Sequence, residues 1–360
     1  MAVELGLGVF SGEWHPGTGL DHSETLRESI AQVVHAERAG LHSVWVSEHH
    51  FHPANFVGSV APYAAAMVQA TERIVVGLGL ALAPLHDPIR MAEDAAFLDV
   101  LSGGRFQLGL GIGYRDVEYE GFGGTRKQRV RRTVELIEIC RQAWGEGTVE
   151  YDGRIYQRHG IDVTPKPVQP GGPPIMMGGH HPDAIDRCAR LGDRFCMDAG
   201  TDSESYEGGD GRNRGLLERV ESAVRIYREA LARHGRDTGA PHFSLNVGGF
   251  LHPDGRDAAW AALAEAYMMT RRVYGDWYGL APEEYADWHP DRMTPEQIEQ
   301  RKGELLLGTP DDLFPVLSQV RDLVGENLVI MFRSKYPLVD DVLTRQSIDL
   351  LGELRTRLRA

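Results

Sequence analysis

Apolar runs punctuate the chain at regular intervals. Residues 4–10 alternate Leu, Gly and Val, residues 44–46 read VWV, and residues 74–82 (IVVGLGLAL) are apolar throughout. Five more short apolar runs follow at 106–110, 175–177, 194–197, 243–251 and 328–332. β-Branched and large apolar residues in runs of this length predict strands, and runs with no polar face predict strands covered by helices. The stretches between them change period. Leu26, Ile30, Val33, Val34 and Ala36 keep helical spacing up to Gly40, with Ser23 as the expected N-cap. Pro88 opens a helix carrying Met91, Ala95, Leu98 and Leu101 on one side, and Thr309 caps one through Val324. Further helices are expected at 61–70, 127–144, 182–191, 216–234, 258–274 and 339–358. A two-strand signal at 149–156 turns at Asp152-Gly153. Eight strands alternating with helices predict an α/β fold with a parallel sheet, and the count of eight favours a closed barrel.

No linker divides the 360 residues, so residues 1–360 read as a single barrel domain. Residues 276–302 look different. They hold Trp277, Tyr278, Tyr285 and Trp288 among acidic residues and prolines, and read as a long irregular lid over the C-terminal mouth or an oligomer contact. Residues 208–211 read as a flexible polar loop. The net charge of −14 argues against nucleic acid or an anionic membrane as partner and suits a small-molecule substrate. No apolar run approaches a membrane span, and the opening MAVELGLGVF lacks an export signal, so a cytoplasmic protein is expected. Cys140, Cys188 and Cys196 lack metal-ligand spacing and read as free thiols, and no metal site is expected.

Candidate chemistry collects at strand ends, where parallel α/β proteins place it. LHSVWVSEHHF (41–51) puts Glu48, His49 and His50 at the tip of the second strand. Alternation sends adjacent side chains to opposite faces, so one imidazole faces the mouth and the other packs outward. Either a general base or a pair of structural histidines fits. Gly109, Gly111 and Gly113 end the fourth strand, and Gly77 and Gly79 interrupt the third; both sets suit close backbone approach to a ligand or crowded packing. MGGHHPDA (177–184) leads from the fifth strand into a helix N-terminus, the geometry that binds phosphate. His86 reads as part of a loop ahead of Pro88. Trp14, Phe56, the lid aromatics and Arg333 are expected near the pocket.

SEHHF, VGLGLALAPLHDPIRMAEDAAFLDVLSGGRFQLGLGIGY and PPIMMGGHHPDAI together resemble the bacterial luciferase-like flavin monooxygenases. The resemblance is clear from residue 3 to 197 and weaker through LLLGTPDDL and the eighth strand. It implies a (β/α)8 TIM-type barrel binding reduced FMN at its C-terminal mouth, a separate flavin reductase, and a small organic substrate oxygenated through a C4a-hydroperoxide. A homodimer is the expected assembly. By the same resemblance His49 is the catalytic histidine, with His50 beside it, and Gly79-Leu80 matches a non-proline cis peptide behind the flavin. Gly111 stands where luciferase has a reactive cysteine, and Tyr114 matches a flavin-contacting position. Met177, Gly178, Gly179, His180 and His181 match the phosphate-holding turn. Ile112 replaces a phosphate-side arginine, which leaves the phosphate to the helix N-terminus, the histidines and Arg115. Two alternatives stay open: a deazaflavin coenzyme used for hydride transfer, and a flavin-binding protein without turnover.

Overall fold

The computed structural model describes residues 3–52, 57–199 and 215–360. Phe56 and the 208–211 loop therefore lie outside the described residues. The chain runs β1 (Glu4–Phe10), α1 (His22–Arg38), β2 (Ser43–Val46), α2 (Val60–Ala70), β3 (Val75–Leu78), β4 (Ala81–Leu82), α3 (Pro88–Ser102) and β5 (Phe106–Gly111). It continues through α4 (Asp116–Gly121), α5 (Arg129–Trp144), the hairpin β6 (Val149–Asp152) and β7 (Gln157–Ile161), β8 (Ile175–Gly178), α6 (Pro182–Leu191) and β9 (Arg194–Asp198). Then come α7 (Leu216–Arg233), β10 (Phe243–Leu251), α8 (Arg256–Trp277), α9 (Pro282–Tyr285), α10 (Pro295–Gly303), β11 (Leu306–Gly308), α11 (Pro310–Val324), β12 (Leu328–Arg333) and α12 (Asp341–Arg359).

Parallel pairing passes from β1 through β2, β3, β5, β8, β9 and β10 to β12, and β12 pairs back onto β1, so the sheet closes. This is the α/β barrel of eight strands that the alternation predicts. β2 shows how the pattern works. Val44 and Val46 pack into the layer beneath the helices, while Trp45 between them fills the barrel interior with Met176, Cys196, Val329 and Met331. Gly77 is required by that ring: a Cβ there would lie 2.3 Å from Trp45, so packing explains this glycine. The opposite, N-terminal end of the barrel is held by polar clips. One Glu37 carboxylate oxygen accepts the backbone N–H groups of Glu72, Arg73 and Ile74 at 2.6–2.9 Å. Arg105 donates to the carbonyls of Ile74 and Thr71 at 2.7 and 3.1 Å.

Several boundaries differ from expectation for identifiable reasons. Asp21, rather than Ser23, caps α1. Its carboxylate accepts from Glu24 N at 2.8 Å and Glu24 accepts from Asp21 N at 2.8 Å, a reciprocal pairing that needs a side-chain acceptor three residues after the cap. Asp21→Ala is expected to cost about 1 kcal/mol in urea unfolding. The third strand is not continuous, because it breaks between Leu78 and Ala81, where the Gly79–Leu80 peptide is cis. The hairpin turn is longer than Asp152-Gly153, with its second strand beginning at Gln157. The 276–302 segment is mostly helical rather than irregular: prolines start α9 and α10, and Thr294 and Gln297 cap α10 reciprocally. Cys140, Cys188 and Cys196 are free and buried. Among the described residues no helix is long and apolar enough to cross a membrane.

Candidate active site

The C-terminal ends of β1, β2, β5 and β12 and the end of α8 bring the polar cluster together. The alternation that turns Trp45 inward continues past β2 and divides the histidine pair. His49 faces the mouth, its ring 4.6 Å from Trp277 and 6.1 Å from Tyr274 between centroids, with Nε2 3.5 Å from the Tyr274 hydroxyl. His50 turns outward among Phe51 and Phe122 and pairs through Nε2 with Glu48 at 2.9 Å.

Glu48 is 1% exposed and serves as a hub. Besides His50 it binds His86 Nε2 at 3.0 Å and accepts Leu82 N–H at 2.5 Å, which ties the tip of β2 to β4. Burial works to raise its pKa, but the bonds from both imidazoles and Leu82 prevail and hold it at about 2. The same carboxylate lifts His86 above its ordinary value against the effect of burial. His86 is therefore part of the site and not merely a loop ahead of a helix.

Sequence reading missed Glu118. It lies on α4, 2% exposed, and its Oε1 accepts His50 N–H at 2.9 Å and Arg115 Nη1 at 3.0 Å, with His49 Nδ1 3.8 Å away. Burial pushes its pKa up, while His49, His50 N–H and Arg115 together hold it below the ordinary carboxylate range. The available signal was the three-residue spacing of Arg115 and Glu118, which suits a helical ion pair. Arg115 also donates to His50 O at 2.6 Å and lies 4.3 Å from the Trp277 ring. With these partners it is not placed as a phosphate ligand.

Trp277 and Tyr278, which open the 276–302 segment, form an aromatic roof. Tyr278 stacks on Tyr114 at 5.2 Å. Burial raises the hydroxyl pKa of Tyr114 and Tyr274, so both stay protonated and can donate. The Tyr114 oxygen is buried with no hydrogen-bond partner among the described residues. Arg333 at the end of β12 pairs with Glu13 at 2.7 Å, and both act electrostatically on Tyr274. Trp14 instead donates to Leu20 O and packs on His22.

The cis Gly79–Leu80 unit sits against β5 and β8. A Cβ on Gly111 would lie 3.3 Å from Leu80, one on Gly178 2.6 Å from it, and one on Gly109 2.0 Å from Leu78 O. These glycines make room for the neighbouring strand and for Leu80. Met177 is buried just before the β8–α6 turn. His181 caps α6, its Nδ1 accepting Asp183 N–H at 3.2 Å, and Gly179 and His180 precede it in the turn. Arg219 acts electrostatically on His180, and Arg129 and Asp183 on Arg187. The Nε atoms of Arg129, Arg187 and Arg219 are buried without hydrogen-bond partners among the described residues. Unsatisfied cationic donors near a helix N-terminus suit an anionic ligand.

These features define a class: a parallel barrel with an imidazole–carboxylate cluster under an aromatic roof at its C-terminal mouth. The family model for luciferase-like monooxygenase matches residues 7–325, and the chain belongs to that family. It is 31% identical over 161 residues to the oxygenase component of flavin-dependent trigonelline monooxygenase from Acinetobacter baylyi, covering 44% of each chain. Three curated relatives, this one among them, are matched over about half of their own length, 44–56%. An F420-dependent glucose-6-phosphate dehydrogenase from Segniliparus rotundus is 27% identical over 317 residues, covering 84% of this chain and 87% of that one. Among solved structures, the oxygenating constituent of 3,6-diketocamphane monooxygenase from Pseudomonas putida, in complex with FMN, superposes with a TM-score of 0.76 at 18% identity over 98% of each chain. That likeness shows the fold.

Proposed function

We propose that the chain is a flavin-dependent monooxygenase that takes reduced FMN from a separate reductase and oxygenates a small organic substrate. The observation that carries this reading is the placement of His49 at the mouth, between the Tyr274 hydroxyl and the Trp277 ring. The family membership and the relative named an oxygenase component support it. When bound, reduced flavin would supply the two electrons with which dioxygen is split between the substrate, which gains one oxygen atom, and a molecule of water. His49 Nε2 holds or moves a proton at the reacting centre, with the Tyr274 hydroxyl as its donor partner. Gly79, Leu80, Gly111 and Tyr114 form the wall against the ring. Trp277, Tyr278 and the rest of segment 276–302 act as the lid that excludes water. The turn from Met177 through Gly178, Gly179, His180 and His181, backed by Arg187 and Arg219, holds the phosphate.

Photoreduced FMN mixed with dioxygen tests the reading. A transient flavin–oxygen absorbance in the presence of the protein is expected. Tight binding of a deazaflavin with no FMN–oxygen signal would replace it with hydride transfer, the reading favoured by the Segniliparus relative. FMN binding without oxygen reactivity would make the chain a flavin carrier. The phosphate assignment is tested separately. Arg219→Ala is expected to weaken FMN about tenfold, as loss of a charged hydrogen bond does, and to leave riboflavin affinity unchanged in fluorescence titrations.

A further inference from the structure

We propose that Glu118 is the positioning residue of His49, and that with Arg115 and Trp277 it fixes the tautomer in which Nδ1 carries the proton and Nε2 presents its lone pair to the mouth. The inference rests on the reading of His49 as the proton-handling group. The geometry is directional. Glu118 Oε1 lies 3.8 Å from His49 Nδ1, on the side of the ring opposite the Tyr274 hydroxyl. An ionised carboxylate can only accept, and although 3.8 Å exceeds hydrogen-bond distance, its charge favours a hydrogen over a lone pair on the buried Nδ1. The Tyr274 hydroxyl, kept protonated by burial, can then donate to an unprotonated Nε2.

The carboxylate has little freedom to move away. His50 N–H and Arg115 Nη1 hold the same oxygen at 2.9 and 3.0 Å, and Arg115 in turn donates to His50 O at 2.6 Å. Trp277 covers the Arg115 guanidinium at 4.3 Å and the His49 ring at 4.6 Å. One roof residue therefore shields both the histidine and the cation that anchors its carboxylate. Exclusion of water there strengthens the Glu118–His49 interaction.

Nitrogen NMR of the full chain labelled in its histidines reads the tautomer without any cofactor, with the His49 signals identified by their loss in His49→Gln. The expected result is a protonated Nδ1 and an unprotonated Nε2. Glu118→Gln, which keeps size and leaves an oxygen for His50 N–H, is expected to shift His49 toward the Nε2–H tautomer. It should lower the single-turnover rate with reduced FMN by about 10²-fold, the low end of acid–base catalysis, with FMN affinity within about threefold. Glu118→Asp should recover part of the rate. An Nε2–H tautomer, or a ring protonated at both nitrogens, in the unaltered protein at neutral pH overturns the proposal, and so does a Glu118→Gln protein with unchanged tautomer and rate. If Glu118→Gln does not fold, the tautomer of the unaltered protein decides alone. A protein that shows the Nδ1–H tautomer and binds neither FMN nor a deazaflavin supports the positioning role while removing the proposed function.

Discussion

His49→Ala is expected to lower the rate of the oxygen-dependent step by about 10²–10⁴-fold, the range that a positioned acid–base group contributes. Flavin affinity should change by less than about tenfold, because the ring offers one neutral hydrogen-bonding contact, of roughly 1 kcal/mol. Stopped-flow single turnovers with reduced FMN give the rate, and fluorescence quenching gives the affinity. The split matters more than either number. A histidine that only packed beneath the roof would, on removal, loosen Trp277 and Tyr274 and weaken binding. Collapse of FMN affinity with an unaltered turnover rate would sink the assignment of His49 as the proton-handling group.

The second large effect is on stability. Glu48→Ala should cost about 3–5 kcal/mol in denaturant unfolding, since it strips a buried carboxylate from two imidazole N–H groups and the Leu82 N–H. The loss is pH-dependent. The Glu48 pKa is depressed in the folded state, from 4.5 to about 2, so its ionised form stabilises the protein above pH 4.5. That contribution, about 3 kcal/mol, fades as the pH falls from 4.5 through 2. His86 works in the other sense. Its pKa is raised, so its contribution is full below 6.5 and disappears as the pH rises through the raised value. The difference between parent and variant should therefore shrink on acidification below pH 4.5. A constant difference from pH 3 to 6 would mean that packing, and not charge, holds the Glu48 hub.

Much of the barrel was legible because its signals are local. Strand period, Pro88 at a helix start and Thr309 as a cap each depend on a few neighbouring residues, and alternation along β2 sent the two imidazoles to opposite faces while the resemblance chose His49 as the one for chemistry. The resemblance supplied Gly79-Leu80. What escaped depends on contacts between distant residues. Glu118 reaches His50 across 68 positions of sequence, and Tyr274 reaches His49 across 225. No periodicity in either segment encodes such a meeting. His86 was hidden differently, because Pro88 explained its neighbourhood so well that nothing demanded a partner for the imidazole. Gly109 and Gly111 were ambiguous for a related reason: a Cβ at either would meet Leu78 O or Leu80, so packing alone demands these glycines whether or not a ligand lies beyond them.

The clips made by Glu37 and Arg105 at the far end of the barrel bear on how this molecule can change. They fasten the starts of β3 and β5 through backbone groups, with no contribution from the mouth. Part of the anchorage is thus carried at the rim opposite the chemistry, with the Glu48 hub as the mouth's own share. Residues around the roof can be exchanged to admit a differently shaped substrate while the fastening at the base stays intact, whereas losing Glu37 or Arg105 would erode the scaffold without touching selectivity. A laboratory search for new substrates would do best to randomise roof positions such as Tyr278, keep Tyr274 and Trp277 beside His49, and leave the lower rim alone.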